Sequence, residues 1–302
     1  MDYEIYHDES KRSGYWHGIL LVPVNRKKQL LVYLEEIRKL TEYKEALSLK
    51  KVKKNTGKIY NCSRAWVQLL ASSLIQQKFK KDIIYVGKKY IDNKLKNLEV
   101  IFSKPIGCKF ILFREKDDHS KMDFLKEYAS KIETTFRIGL KGGLHLLGSE
   151  ESPINITKIH FDGCEHLKRN VDKNRILKRM DGLRKYCSFN DFNNIIDDRT
   201  SNHGKENSQH YNDCQLLQLT DLAVGTFRTI LGEQTREEHY QIAHPINELI
   251  ERYCTGYKRM SNSRWFKGFC MSSCYIENEN WNFETLTPLA EETKTTQLNF
   301  NF

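Results

Sequence analysis

The sequence lacks any apolar run near the roughly 18 to 20 residues that cross a bilayer, so no membrane partner is expected. Its first residues, "MDYEIYHDES", hold no basic stretch followed by an apolar one. A secretory leader is therefore not expected, and the expected location is the cytoplasm. None of the eight cysteines (Cys62, Cys108, Cys164, Cys187, Cys214, Cys254, Cys270 and Cys274) forms a C-x-x-C pair. Disulfides are not needed in an intracellular chain of this size. Cys254, Cys270 and Cys274 could offer thiolates to zinc, but their spacing fits no common zinc module, so buried free thiols are expected. There is no internal repeat and no low-complexity segment.

What is present is a chain of 302 residues, 39% hydrophobic and 11% aromatic, long enough to bury a core as one large domain or two modest ones. The formal charge is +10 and the pI about 9.0. The positive charge clusters in "SLKKVKKNTGK" (48–58), "KFKKD" (78–82) and "GKKY" (87–90). Such clusters favour polyanions, nucleic acid first; the plainer reading is a solvated basic face.

Apolar alternation predicts strands at Tyr3–Asp8 and Tyr15–Val24 around the turn "ESKRSG", then a helix over Arg26–Leu40 and a short strand in "EALSLKKV". A second helix is predicted over Ser63–Phe79 with Ser63 as its cap. Strands follow in "DIIYVGKKYI" and "KFILFRE", then a helix over Lys121–Leu140 closed by "KGG". "ITKIHFDG" reads as a strand, residues 165–186 as a polar helix and "FNNIIDD" as a short strand. A loop over Arg199–Asp213 leads to an apolar helix over Cys214–Leu231. Beyond residue 232 come the helix "INELIERY" and the aromatic run "RWFKGFCMSSCYI". This order predicts an α/β fold, a mixed sheet with helices on its faces.

Three acids stand where a structural residue would be apolar. Asp8 ends the first strand, Asp162 ends a later one, and Asp221 lies between Leu219 and Leu222 in the apolar helix. Buried charge is costly unless it is paired or binds a metal. Asp8 or Asp162 could instead serve a turn, and Asp221 could pair elsewhere in the fold. Clustered at strand ends, the three would repel one another, and a divalent cation would relieve that repulsion. Mg²⁺ or Mn²⁺ is the expected cofactor, with Asp8, Asp162 and Asp221 as ligands. Two such ions can stabilise the attacking and leaving oxygens of a phosphodiester displacement.

Glu9 is a further catalytic candidate, but only if the strand ends at Asp8, because neighbours on a strand face opposite sides. Gln218, one turn before Asp221, is either a site residue or an ordinary polar edge. His203 and His210 could assist proton transfer or lie on a loop surface. Cys164 and His166 beside Asp162 would suit a softer metal. Lys50, Lys51, Lys53, Lys54 and Lys58 are the expected contacts to a nucleic-acid backbone.

The pieces "IYHDES", "IHFDG" and "QLLQLTDLAVGTFR", in this order, resemble domain-of-unknown-function family 3800, and "ALSLKKVKKNTGK" resembles its lysine-bearing segment. The likeness covers roughly residues 3–231. It implies an RNase H-like mixed five-stranded sheet with helices on both faces. Acids at the ends of the first and fourth strands and on the last helix then converge on a metal, which transfers those roles to Asp8, Asp162 and Asp221. Residues 1–231 would form this domain, with a helical and basic insertion at about 26–80. Residues 232–302 would form a C-terminal α+β extension packed on the core. The superfamily usually adds a glutamate from the first helix, for which Glu35, Glu36 and Glu133 are candidates. Lys11 and Arg12 replace the glycine and aspartate that often follow "DES" in the family.

The expected activity is a metal-dependent nuclease acting on DNA or RNA, in a bacterial setting such as phage defence or a mobile element. One rival is a catalytically inactive module of the same fold that binds nucleic acid or a partner protein. Its docking surface would be the C-terminal aromatics Trp265, Phe266, Phe269 and Tyr275, which read equally as core. Another is a strand-transfer enzyme.

Overall fold

The computed structural model describes residues 1–11, 13–75, 106–148, 153–162, 187–189, 196–199, 210–233, 236–254 and 268–286. The predicted strand "DIIYVGKKYI", the predicted helix over residues 165–186 and the clusters at 78–82 and 87–90 lie outside them, as do Cys164, His166, His203, Trp265 and Phe266.

Strands β1 (Asp2–Lys11) and β2 (Tyr15–Pro23) form an antiparallel hairpin, and β3 (Lys109–Glu115) continues the meander beside β2. On the other side of β1, β4 (Ile154–Asp162) runs parallel to it. Beyond β4 lie β5 (Cys187–Phe189) and β6 (Ile196–Arg199), both parallel to it. Strand β7 (Phe269–Glu277) pairs parallel with β3, and β8 (Asn280–Thr285) closes that edge. The described residues thus form one mixed sheet of eight strands.

Five described helices cover it: α1 (Val24–Thr41), α2 (Lys58–Ser73), α3 (Tyr128–Leu147), α4 (Tyr211–Ile230) and α5 (Glu237–Cys254). The two-residue period of β1 divides them. Tyr6 on one face joins a core with Trp16, Leu20 and residues of α1, α2, α4 and α5. Tyr3 and Ile5 on the other join Phe136, Leu140 and Leu144 of α3. The described residues beyond 231 belong to the same sheet and the same core: α5 packs on α2 and α4, and Phe269 is buried with Phe227.

Several elements differ from the sequence pattern. Strand β1 runs on through Ser10 and Lys11, because the ladder to Trp16 and Tyr15 continues. Helix α2 begins at Lys58 with Gly57 before it, so Ser63 is a buried interior residue and not a cap. "EALSLKKV" contains a 3₁₀ turn at Leu49–Lys51 and no strand; the Leu47 N–H bonds the Gln218 side chain and no neighbouring strand. Helix α3 passes straight through "KGG". Gly143 lies against Ile111 so closely that a Cβ would stand 2.3 Å from its side chain. That glycine serves helix–sheet contact and ends nothing.

Candidate metal centre

Asp8 lies on the β1 face that carries Glu4 and Tyr6, opposite Gly18 of β2 and next in register to Asp162 of β4. Helix α4 crosses this face. A Cβ on Gly18 would stand 2.0 Å from the Val224 side chain, so a side chain at Gly18 would hold the helix off the sheet. This close approach carries Asp221, one turn earlier on α4, to Asp8. The two carboxyl groups hydrogen-bond each other, and Asp162 is close enough to act on both. Burial, then the charges of Asp221 and Asp162, push the Asp8 carboxyl well above the carboxylate range. Burial also raises Asp221, against the Ser48 hydroxyl and the Lys50 charge. Part of Asp221 reaches the surface, but its Oδ2 is shut off from solvent and has no hydrogen-bond partner. A buried carboxylate oxygen with no donor, beside two more acids, suits a cation. A donor set of carboxylate oxygens suits a hard divalent cation.

Glu9 does not join the three acids. Because β1 continues to Lys11, Glu9 points to the α3 side, where the Tyr15 hydroxyl donates to it. It feels Asp162 only as the last of the influences on its carboxyl. Beyond it lies a chain of buried histidines. His7 Nε2 is 2.9 Å from His17 Nδ1, His17 Nε2 is 2.8 Å from Thr135 Oγ1, and His119 Nε2 is 3.3 Å from the same oxygen. Thr135 Oγ1 also lies 3.1 Å from the carbonyls of Lys131 and Ile132, so its one proton goes there and it accepts from both histidines. His17 Nδ1 then accepts from His7, and all three rings are neutral. Burial pushes His7 down to about 3 and His119 to about 4.

The glutamate candidates are also elsewhere. Glu35 accepts from the Tyr211 hydroxyl, Glu36 pairs with Lys39, and Glu133 belongs to α3 on the opposite face. His210 stands at the start of α4, about three turns from Asp221. Arg228, the next basic residue on that helix, donates to Ser10.

The segment between α1 and α2 forms a strap over α4. The buried Arg38 donates to Gln215 (3.1 Å), to Gln218 (2.8 Å) and to the Glu45 carbonyl (2.8 Å). Gln218 also accepts from the Leu47 N–H at 2.9 Å. Leu49 sits directly on Gly225, where a Cβ would meet it at 2.7 Å. Gln218 is therefore a hydrogen-bonding residue that fixes the strap, and Ser48 reaches Asp221 because of it. Ser48 and Gly18 are the site-building residues that sequence patterns missed. A glycine inside the apolar strand "YWHGILLVP" was the available signal for Gly18. Lys50, Lys51, Lys53, Lys54 and Lys58 are all exposed. Lys58 is paired with Glu42 at 2.7 Å, and Lys51 donates to the Ala46 carbonyl at 3.1 Å.

A second acidic group lies on the same sheet face. Glu4, His160 and Asp213 offer ligand atoms within 4.8 Å of one another, tighter than the Asp8 group, and so form a possible metal-binding triad. Lys27 already supplies a cation there. Its ammonium is 2.7 Å from Glu4 and 2.9 Å from Asp213, and the Tyr6 hydroxyl adds 2.7 and 3.0 Å contacts to the same two oxygens. Charge and hydrogen bonding close this group without a metal. Cys62, Cys108, Cys187, Cys214, Cys270 and Cys274 form no disulfide, and Cys270 and Cys274 lie on β7.

Comparison of the chain with family models, curated proteins and solved structures finds no match.

Proposed function

We propose that the chain is a metal-dependent nuclease that hydrolyses phosphodiester bonds of DNA or RNA on an RNase H-like fold. The observation that carries this reading is the meeting of Asp8, Asp162 and Asp221, from β1, β4 and α4, near enough to act on one another, with one buried oxygen of Asp221 that has no partner. The mixed sheet with helices on both faces is compatible with it, although the described sheet has eight strands where the family likeness implies five.

Asp8, Asp162 and Asp221 would hold Mg²⁺ or Mn²⁺. Bound there, the ion would polarise a phosphoryl oxygen and lower the pKa of a coordinated water. The chain's own residues hold and orient the substrate. Exposed Lys53 and Lys54, with Lys51, line the approach along the strap and attract the phosphate backbone without reading sequence. The Gln218–Arg38 network keeps that strap on α4.

A second reading, a nucleic-acid-binding or protein-binding module without catalysis, is favoured by one observation. None of Glu35, Glu36 and Glu133 reaches the three acids. Labelled single- and double-stranded DNA and RNA, incubated with Mg²⁺ or Mn²⁺, separate the two. Metal-dependent cutting by wild type, lost in Asp8→Asn and in Asp221→Asn, is the expected result. Salt-sensitive binding with no cutting would establish the second reading. Cutting that survives both substitutions would overturn the site.

A further inference from the structure

We propose that Lys50 belongs to the reaction centre and not to the backbone-binding strip: it contacts the scissile phosphate and supplies the second positive charge of a site that holds one divalent ion. This rests on the nuclease reading and deepens it.

The strap gives Lys50 a fixed place that the other lysines lack. Leu47 is tied to Gln218, Ser48 hydrogen-bonds Asp221, and Leu49 is seated on Gly225. The next residue is Lys50, at the exposed edge of a turn anchored on three sides. Its charge acts on Asp221, whose buried Oδ2 has no partner. Lys51 and Lys58 are engaged by the Ala46 carbonyl and by Glu42, and Lys53 and Lys54 lie beyond the buried Val52.

Charge arithmetic leads the same way. Three carboxylates balance one divalent ion and one ammonium. A second divalent ion would add two charges next to Lys50, which these three carboxylates do not balance. A lysine ammonium can stabilise the charge that develops on a transferring phosphoryl group, as a metal ion does.

The test counts bound Mn²⁺ in the full chain by calorimetry and electron paramagnetic resonance. Cleavage of a labelled oligonucleotide at saturating Mn²⁺ is measured beside it. Wild type should bind one ion that is lost in Asp8→Asn. Lys50→Met should keep that one ion and bind it several-fold more tightly, since a neighbouring positive charge is gone. Its kcat should fall about 10²-fold with KM little changed. Lys50→Arg should recover part of kcat. Lys50→Glu, which adds the missing carboxylate, should take up a second ion. Lys53→Met should raise KM and flatten the salt dependence.

Two Mn²⁺ ions in the wild-type site, or an unchanged kcat in Lys50→Met, would overturn the proposal. If wild type binds one ion but cuts no nucleic acid, the nuclease reading fails, and with it the contact to a scissile phosphate. The one-ion assignment is then decided by titration alone. Tighter Mn²⁺ binding in Lys50→Met supports it, and unchanged affinity overturns it.

Discussion

Two acidic groups share the same three elements. Glu4 and Asp8 lie on one face of β1, His160 and Asp162 on one face of β4, and Asp213 and Asp221 on α4. They are about 13 Å apart along β1, about 7 Å along β4 and about 12 Å along α4. One has its carboxylates paired: Lys27 bridges Glu4 and Asp213, and Tyr6 and His160 hydrogen-bond Glu4. The other is unfinished, with two carboxyl groups sharing a hydrogen bond and one oxygen without a partner. A chain that can close such a group with lysine at one end has left the other end costly. Groups of that kind are maintained where function needs them and stability is lost for it.

The sharpest way to break the comparison is to neutralise one acid in each group. Asp8→Asn should cost on the order of 10²-fold or more in metal-dependent cleavage. In the absence of metal it should leave the melting temperature unchanged or raise it, because a neutral amide replaces a buried carboxyl whose charged form is disfavoured and can still donate to Asp221. Glu4→Gln should do the reverse, lowering the melting temperature while activity persists. Matched thermal melts and cleavage assays check both. A fall in melting temperature for Asp8→Asn would mean that its group is structural after all.

Next in size is Lys27→Met. It leaves Glu4 and Asp213 facing one another without their cation, and should cost about 2–3 kcal/mol in chemical denaturation. It should also convert the closed group into an open one. Glu4, His160 and Asp213 are already within 4.8 Å of one another, so Zn²⁺ should raise the melting temperature of Lys27→Met and not that of wild type. If Zn²⁺ stabilises both equally, Lys27 is not what closes the group.

The sequence disclosed one of these groups and hid the other. Asp8, Asp162 and Asp221 stand out because each interrupts an apolar pattern. Glu4, Lys27 and Asp213 stand at the starts of elements, where polar residues are ordinary, and nothing local shows that β1, α1 and α4 meet there. Glu9 was undecidable because its direction depends on where β1 stops, and that is set by pairing with Trp16 and Tyr15 of β2. The "KGG" of α3 reads as a stop, yet Gly139 and Gly143 are contact positions against Phe113 and Ile111. The strap over α4 could not be read as a strap, because its backbone partner is the side chain of a residue 171 positions away.

A smaller effect tests how the open group is held together. Gly18→Ala places a methyl 2.0 Å from Val224 Cγ2. It should cost about 1–3 kcal/mol and push α4 away from Asp8, weakening Mn²⁺ binding. Val224→Ala in the same chain should restore both, and a double-mutant cycle measures the coupling. Additive losses would mean that α4 is not seated on Gly18.

The gentlest probe is pH, and it separates the closed group from the histidine chain behind Glu9. Burial would raise Glu4 and Asp213, but hydrogen bonds from Lys27 and Tyr6 and the Lys27 charge, with a His160 hydrogen bond to Glu4 and its electrostatic influence on Asp213, hold both below the usual carboxylate range. Their folded values lie under their unfolded ones, so their contribution is complete above about pH 4.5 and is lost as the pH falls further. His7 and His119, at about 3 and about 4, are also depressed, but from an unfolded value near 6.5. Their contribution is complete above that value and fades as the pH falls toward 4 and then 3. Denaturation free energy should therefore decline in two stages, the first from about pH 6.5 and the second below about 4.5. Glu4→Gln should shrink the second stage alone, and His7→Phe should shrink the first. A single stage that both variants alter equally would show that the two faces of the sheet do not titrate independently.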